Sequence, residues 1–419
     1  MKRKAQKEMI KSKETTSLAF RQLVDKGQPP VIMQVLPALN SGGVEQGVID
    51  INAAVMRAGG KSIVVSSGGA RVHEITKVGG IHIQLPVNSK NPFTMYTNIA
   101  KLKRIVKEHN VSIVHACSRA PAWSALRAVE GTTARFVTSC HAAHKLNGGA
   151  LKKFYNSSIC KGERVIAVSH FLADYLEQNY QCDPNIIRVI HRGVAIERFH
   201  PNSVTPERLV AVSRQLRVPE GAAIILLPAR ISRIKGHMYL LDAIAALKRR
   251  DVFCVFLGSD IGNESYRKEL DDYISAKELG GQVRIETKCD DMPAAYMIST
   301  VVAVPSLVPE GFGRVPIEAQ AMGRPCIATD HGGVRETIVR DETGWLVPVA
   351  DVPAMTEALT EAMSLDARGR AMLATAAMSH VATHFTNEQM CRATLDVYAE
   401  VLGQSVLQAQ MPRVSNAAR

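Results

Sequence analysis

Short apolar runs mark buried strands at Val31–Leu36, Ser62–Val65, Ile81–Leu85, Val111–Val114, Arg135–Thr138, Arg164–Val168 and Ile186–Ile190. Helical patterns fall between most of them, as in Val44, Val48, Ile51 and Val55, or Ile99, Leu102, Ile105 and Val106. The alternation resumes with strands at Ala223–Leu227, Val252–Leu257, Val283–Glu286 and Val301–Val304. Helices are predicted around Leu240–Leu247, Glu264–Leu279, Val315–Met322, Val352–Met363 and Asn387–Leu402. Strands alternating with helices predict an α/β chain built on doubly wound, Rossmann-like parallel sheets. Ligands of such sheets sit beyond the carboxyl ends of the strands.

A polar stretch from Asn202 to about Pro219 separates the two series. Two domains are therefore predicted, over residues 30–205 and 206–385. A basic extension (1–29, closed by Gln28-Pro29-Pro30) precedes them, and a last helix with a loose tail occupies 386–419. The extension carries Lys2, Arg3, Lys4, Lys7, Lys11 and Lys13 and is expected to be flexible or partly helical.

Composition narrows the class. The chain is 46% hydrophobic and 21% charged, as in a soluble globular protein. No apolar stretch approaches the ~18–20 residues that cross a bilayer, and Met1–Glu14 has no apolar signal core, so a cytoplasmic location is expected. The eight cysteines include no Cys-x-x-Cys pair, which sets aside zinc-ribbon and thioredoxin chemistry; several lie in strand-like runs as core thiols. Charge is lopsided. Residues 1–205 hold 28 Lys and Arg against 13 Asp and Glu, net +15, while the rest of the chain is net −3. With only 5% aromatic residues and no basic–aromatic interleaving, nucleic acid is not the expected partner. An anionic inner-membrane surface or an acidic acceptor fits the basic half, with solubility alone as the competing reading.

The candidate chemistry centres on Pro309-Glu310-Gly311-Phe312-Gly313-Arg314-Val315-Pro316-Ile317-Glu318, between a strand and a helix. Two glycines let backbone N–H groups approach an anion at a helix N-terminus, and the two flanking carboxylates can grip hydroxyls. A ligand with sugar, phosphate and ribose in sequence fits that layout. A second glycine turn, Pro37-Ala-Leu-Asn-Ser-Gly-Gly43, follows the first strand. It is neither Gly-x-Gly-x-x-Gly nor followed by Gly-Lys-Ser/Thr, so dehydrogenase and P-loop readings lose ground. Arg230 and Lys235, in Pro228-Ala-Arg-Ile-Ser-Arg-Ile-Lys-Gly236, lie between a strand end and a helix start, where two cations can neutralise a diphosphate. His141 and His115 follow strand ends, with His115 and His144 the weaker candidates. Lys145, Lys152, Lys153 and Lys161 form a candidate basic face.

The segment Pro305–Glu336, with Glu310 and Glu318 in Glu-x7-Glu spacing, resembles the retaining GT-B-fold glycosyltransferases of family 4 (glycosyl transferases group 1). The match continues through Glu318-Ala-Gln-Ala-Met-Gly-Arg-Pro-Cys-Ile-Ala-Thr-Asp-His-Gly-Gly-Val-Arg-Glu336 to Gly344-Trp-Leu-Val-Pro348, and the Arg-x4-Lys-Gly order of Arg230, Lys235 and Gly236 agrees. The resemblance covers about Val31–Leu402. It implies two Rossmann-like domains facing across a cleft and a final helix crossing back to the first. It also implies transfer of a hexose from a nucleotide-diphosphate sugar to a glycan or lipid-linked acceptor, as in lipopolysaccharide or other envelope polysaccharide synthesis. His141 and Glu310 would then lie by the donor sugar, and Arg230 and Lys235 on the diphosphate. Backbone near Gly42, Gly43, Gly311, Phe312 and Gly313 would approach the donor, and Glu318 would hold the ribose. The loop Thr287–Asp291 stands where the family reads the base. No cofactor or metal is expected; Asp290-Asp291 is not a clear Asp-x-Asp site. A sugar-nucleotide epimerase, a glycan phosphorylase and a non-catalytic nucleotide-sugar binder remain the alternatives.

Overall fold

The computed structural model describes residues 17–27, 29–40, 42–143 and 149–403. The basic run Lys2–Lys13, His144, Lys145 and the tail after Ser405 lie outside the described residues, as does the side chain of Lys152. The chain divides into two compact units, one running to Arg192 and resuming at Asn387, the other spanning Gly193–Thr386.

The first unit is built on seven parallel strands: β1 (Val31–Val35), β2 (Lys61–Ser66), β3 (Ile81–Gln84), β4 (Ile113–Ala116), β5 (Arg135–Cys140), β6 (Arg164–Ala167) and β7 (Ile187–Val189). Their order is β3-β2-β1-β4-β5-β6-β7. The central strands read as continuous apolar runs because helices cover both sheet faces. One face packs Val35, Ile63, Leu102, Val114 and Phe136, the other Ile32, Val55, Ile113, Ile166 and Tyr398.

Of the two readings of the extension, flexible or partly helical, Leu18–Asp25 follow the second. They form a helix capped by Ser17, whose hydroxyl accepts from the Phe20 N–H at 3.0 Å, and Phe20 is fully buried beside Ile32 and Tyr398. The β4 strand is shifted two residues from its predicted span, so His115 lies inside the strand, 1% exposed, rather than beyond its end. The helix Asn387–Val401 packs in this unit through Leu395 and Tyr398, and Glu400 pairs with Arg164 (2.8 Å) and Arg188 (2.6 Å).

The second unit holds β8 (Ala223–Pro228), β9 (Val252–Leu257), β10 (Val283–Glu286), β11 (Val301–Val304), β12 (Cys326–Thr329) and β13 (Trp345–Val347). All are parallel, in the order β10-β9-β8-β11-β12-β13. The sequence reading did not mark β12 and β13, which are short, at four and three residues. The boundary between the units falls at Arg192/Gly193, not near 205. Val194 donates to the Phe385 carbonyl (2.9 Å) and Phe199 packs edge-on against Tyr296, so these residues already belong to the second core. All eight cysteines are free and most are buried. Among the described residues no helix is long and apolar enough to cross a membrane.

Candidate functional site

The second unit assembles its candidate side chains at the carboxyl ends of β8 and β11. After β8 the chain makes a short turn over Arg233–Lys235 and enters the helix His237–Leu247 through Gly236. Gly236 has φ +74°, and a Cβ there would lie 1.8 Å from the Pro305 carbonyl oxygen. Only glycine permits that contact, and the contact brings Lys235 against the loop after β11. Lys235 Nζ reaches Glu310 Oε1 at 2.8 Å, and the Ser306 hydroxyl donates to the same oxygen at 2.5 Å. Glu310 Oε2 accepts no hydrogen bond from any described residue. Burial would raise the Glu310 carboxyl, but the Lys235 ammonium and the Ser306 hydroxyl outweigh it and hold the group ionised below the usual carboxylate range. The Glu310 backbone is pinned as well, its carbonyl accepting from the Gly333 N–H at 2.8 Å.

Eight residues on, Glu318 sits on the buried face of the helix Arg314–Ala321, 9% exposed. The Tyr296 hydroxyl donates to its Oε2 (2.8 Å) and Arg314 donates to its Oε1 (2.6 Å). A carboxylate has about four lone-pair sites, so two remain to accept from a vicinal diol. Burial and the adjacent Glu318 charge push the Tyr296 phenol well above its ordinary pKa, keeping it a donor. Arg230 is exposed and has no ion-pair partner among the described residues, which leaves its guanidinium open to an anion.

Phe312 is placed for its backbone alone. Its ring is 4% exposed and meets Phe385 edge-on at 5.6 Å, so it anchors the loop in the core and only its backbone remains for a ligand. Gly313 caps the following helix with φ +98° and no side-chain hydrogen bond. Asp291 is committed elsewhere: it caps the helix Met292–Ile298 and pairs bidentately with Arg208 at 2.6 Å.

In the first unit Gly42 caps the helix Gly43–Arg57 without a side-chain bond. The Gly43 carbonyl accepts from the Arg192 guanidinium. His141 follows β5 as expected, half-buried, with Nε2 enclosed and without a hydrogen-bond partner. Burial, then the Arg192 charge, holds its ring neutral well below the ordinary histidine range. His115 is satisfied internally, bonding Tyr398 Oη (2.7 Å) and Ser139 Oγ (2.5 Å), and burial drives its pKa to about 3. It is a core histidine.

Sequence reasoning missed Ser306, Tyr296, Arg314 and Arg192. Only Arg314 carried a signal, its i,i+4 spacing to Glu318 on a predicted helix. The others are joined to the site by the tertiary fold.

Two Rossmann-like units make up the GT-B fold, and the second carries paired carboxylates beside cations at its strand ends. The comparisons agree. The model of "Glycosyl transferases group 1" matches residues 211–379 and that of "Glycosyltransferase Family 4" matches residues 41–198. A glycosyltransferase structure from Rickettsia africae is 36% identical, covering 90% of this chain and 100% of that one, with TM-score 0.83. The chain belongs to the family 4 (group 1) glycosyltransferases. Anabaena HepE, solved with UDP-glucose, shares the fold at 21% identity and TM-score 0.78, covering 89% of this chain and 99% of that one. D-inositol 3-phosphate glycosyltransferase of Salinispora tropica is 34% identical over 257 residues, 59% of this chain and 52% of that protein. The chain spans about half the length of the curated relatives it matches.

Proposed function

We propose that the chain is a retaining, metal-independent hexosyltransferase. It moves a sugar from a nucleotide-diphosphate donor to a glycan or lipid-linked acceptor, in lipopolysaccharide or related envelope synthesis. The observation that carries this reading is Glu310, with Oε1 held by Lys235 and Ser306 and Oε2 open, one loop away from Glu318 held by Tyr296 and Arg314. Glu310 Oε2 accepts from a donor-sugar hydroxyl and positions the ring. Glu318 accepts from the ribose diol. Arg230 and Lys235 stabilise the negative charge that grows on the diphosphate as the C1–O bond breaks. The acceptor oxygen bonds to C1 on the same face, and its proton passes to the departing phosphate oxygen. HepE was solved with UDP-glucose, which makes the uridine nucleotide the first donor to try.

The acceptor reading rests on the basic first half and on exposed aromatic side chains within it. Phe93, Tyr96 and Phe154 are exposed at 76%, 71% and 66%, with Lys153 exposed beside Phe154. Their segments are tied together by Ser124 Oγ to the Met95 carbonyl (3.0 Å) and Tyr155 Oη to the Ala120 carbonyl (3.2 Å). Aromatic and basic groups together suit an anionic lipid interface.

The test is transfer from UDP-, GDP- and ADP-sugars to a glycolipid extract, with and without EDTA and anionic vesicles. Acceptor-dependent transfer that survives EDTA is the expected result. Sugar release without acceptor, or a requirement for inorganic phosphate, would favour an epimerase or a phosphorylase. Donor binding without turnover would favour a non-catalytic binder.

A further inference from the structure

Arg192 lies three residues beyond β7, in the first unit, and is 8% exposed. Its guanidinium bonds the carbonyl of Gly43, the first residue of the helix Gly43–Arg57. The path to that carbonyl runs across Gly47, where a Cβ would fall 1.9 Å from Arg192 Nη2. Gly47 has no left-handed backbone to explain it. Inside a helix glycine is disfavoured relative to alanine, so its use here answers to the guanidinium. Arg192 also lines a small cavity of about 10 Å³ with His115, Ser139 and His141, and His141 Nε2 has no hydrogen-bond partner among the described residues.

We propose that Arg192 is a positioning residue for the donor: wedged against Gly47, it fixes the Gly43 carbonyl and thereby orients the glycine turn toward the diphosphate. This rests on the donor reading above. In a trans peptide the C=O and the following N–H point in opposite directions. Holding the Gly43 carbonyl inward therefore turns the Val44 N–H outward, toward the open end of the helix. N–H groups in the first turn have no intrahelical acceptor, and an anion supplies one. The guanidinium stays charged at any working pH. Buried behind the turn, it adds positive potential that solvent screens little.

The experiment compares wild type with Arg192→Gln, Arg192→Lys and Gly47→Ala. It measures affinity for UDP, GDP and ADP, then KM for donor and for acceptor. The nucleoside diphosphate that wild type binds should bind Arg192→Gln at least about tenfold more weakly, the scale of one lost charge-assisted hydrogen bond. Gly47→Ala keeps the arginine but displaces it. It should weaken binding in the same direction, although alanine favours the helix. Donor KM should rise while acceptor KM stays, and Arg192→Lys should recover part of the loss; a purely structural defect would not separate the two KM values. If Arg192→Gln fails to fold, Gly47→Ala decides alone. Wild-type affinity in Gly47→Ala and Arg192→Gln, with normal binding by wild type, overturns the role of Arg192 and leaves the donor reading intact. No binding of any nucleotide by wild type overturns both.

Discussion

The glycine turn of the first unit and the acidic loop of the second both follow a strand and open a helix, yet they are built oppositely. Behind the first stand a buried guanidinium, Arg192, and two neutral imidazoles, His115 and His141. In the second the charges are ionised and paired at partly exposed side chains; Lys235 and Glu310 are 22% and 19% exposed. A fixed, poorly screened charge pre-orients backbone donors. A partly solvated ion pair is worth about 1 kcal/mol or less, so Lys235 can turn from Glu310 toward a phosphate at small cost. The first turn is held by burial, and the second loop stays exchangeable by exposure.

Removing the exchangeable cation should have the largest effect. Lys235→Ala should lower kcat about 10²–10³-fold, the usual cost of one group that stabilises developing charge. The melting temperature should fall modestly, since Glu310 keeps its burial cost without the ammonium that offsets it. A rate within threefold of wild type, measured under donor saturation, would remove Lys235 from the chemistry.

Acid should act first on the buried histidines of both units and only lower down on Glu310. Burial holds His115 near pKa 3 and His141 well below its ordinary value in the first unit, and His237 and His380 near 4 in the second. The unfolded chain takes up these protons from about pH 6.5 downward while the folded chain resists. Stability is therefore full above about pH 6.5 and falls as pH drops toward the folded values, by up to ~1.4 kcal/mol per pH unit for each ring. Glu310 behaves differently. Its pKa is depressed, so its stabilisation is present above the ordinary glutamate value near 4.5 and is lost only below it, as pH falls through the folded value. Denaturant titrations from pH 7.5 to 4 should show the histidine slope first, and His115→Gln should flatten it by about one proton. A flat profile down to pH 5 would contradict the neutral-histidine account.

Much of this was legible in the chain. Long central strands such as Val252–Leu257 announce themselves because both sheet faces are covered. Glu310, Glu318, Arg230 and Lys235 stand in a spacing that survives as sequence. The short strands β12 and β13 were not marked, since three or four apolar residues carry no period of their own. Tertiary packing decided the rest. Phe312 reads as part of a ligand loop but meets Phe385, 73 positions later in the numbering. Ser306 and Tyr296 look like ordinary residues until the fold aims them at Glu310 and Glu318. Arg192 follows a strand end without any motif, and Gly47, the only trace of its path, looks like a poor helix residue.

The most direct test of the central claim, that the second unit grips the donor with its paired carboxylates, is a calorimetric titration of donor nucleotide against wild type and Glu318→Ala in EDTA. The account predicts metal-free binding by wild type and a loss of about 10–100-fold in Glu318→Ala, the worth of hydrogen bonds to a buried carboxylate, with the fold intact by circular dichroism. Equal affinity in the two proteins would contradict it.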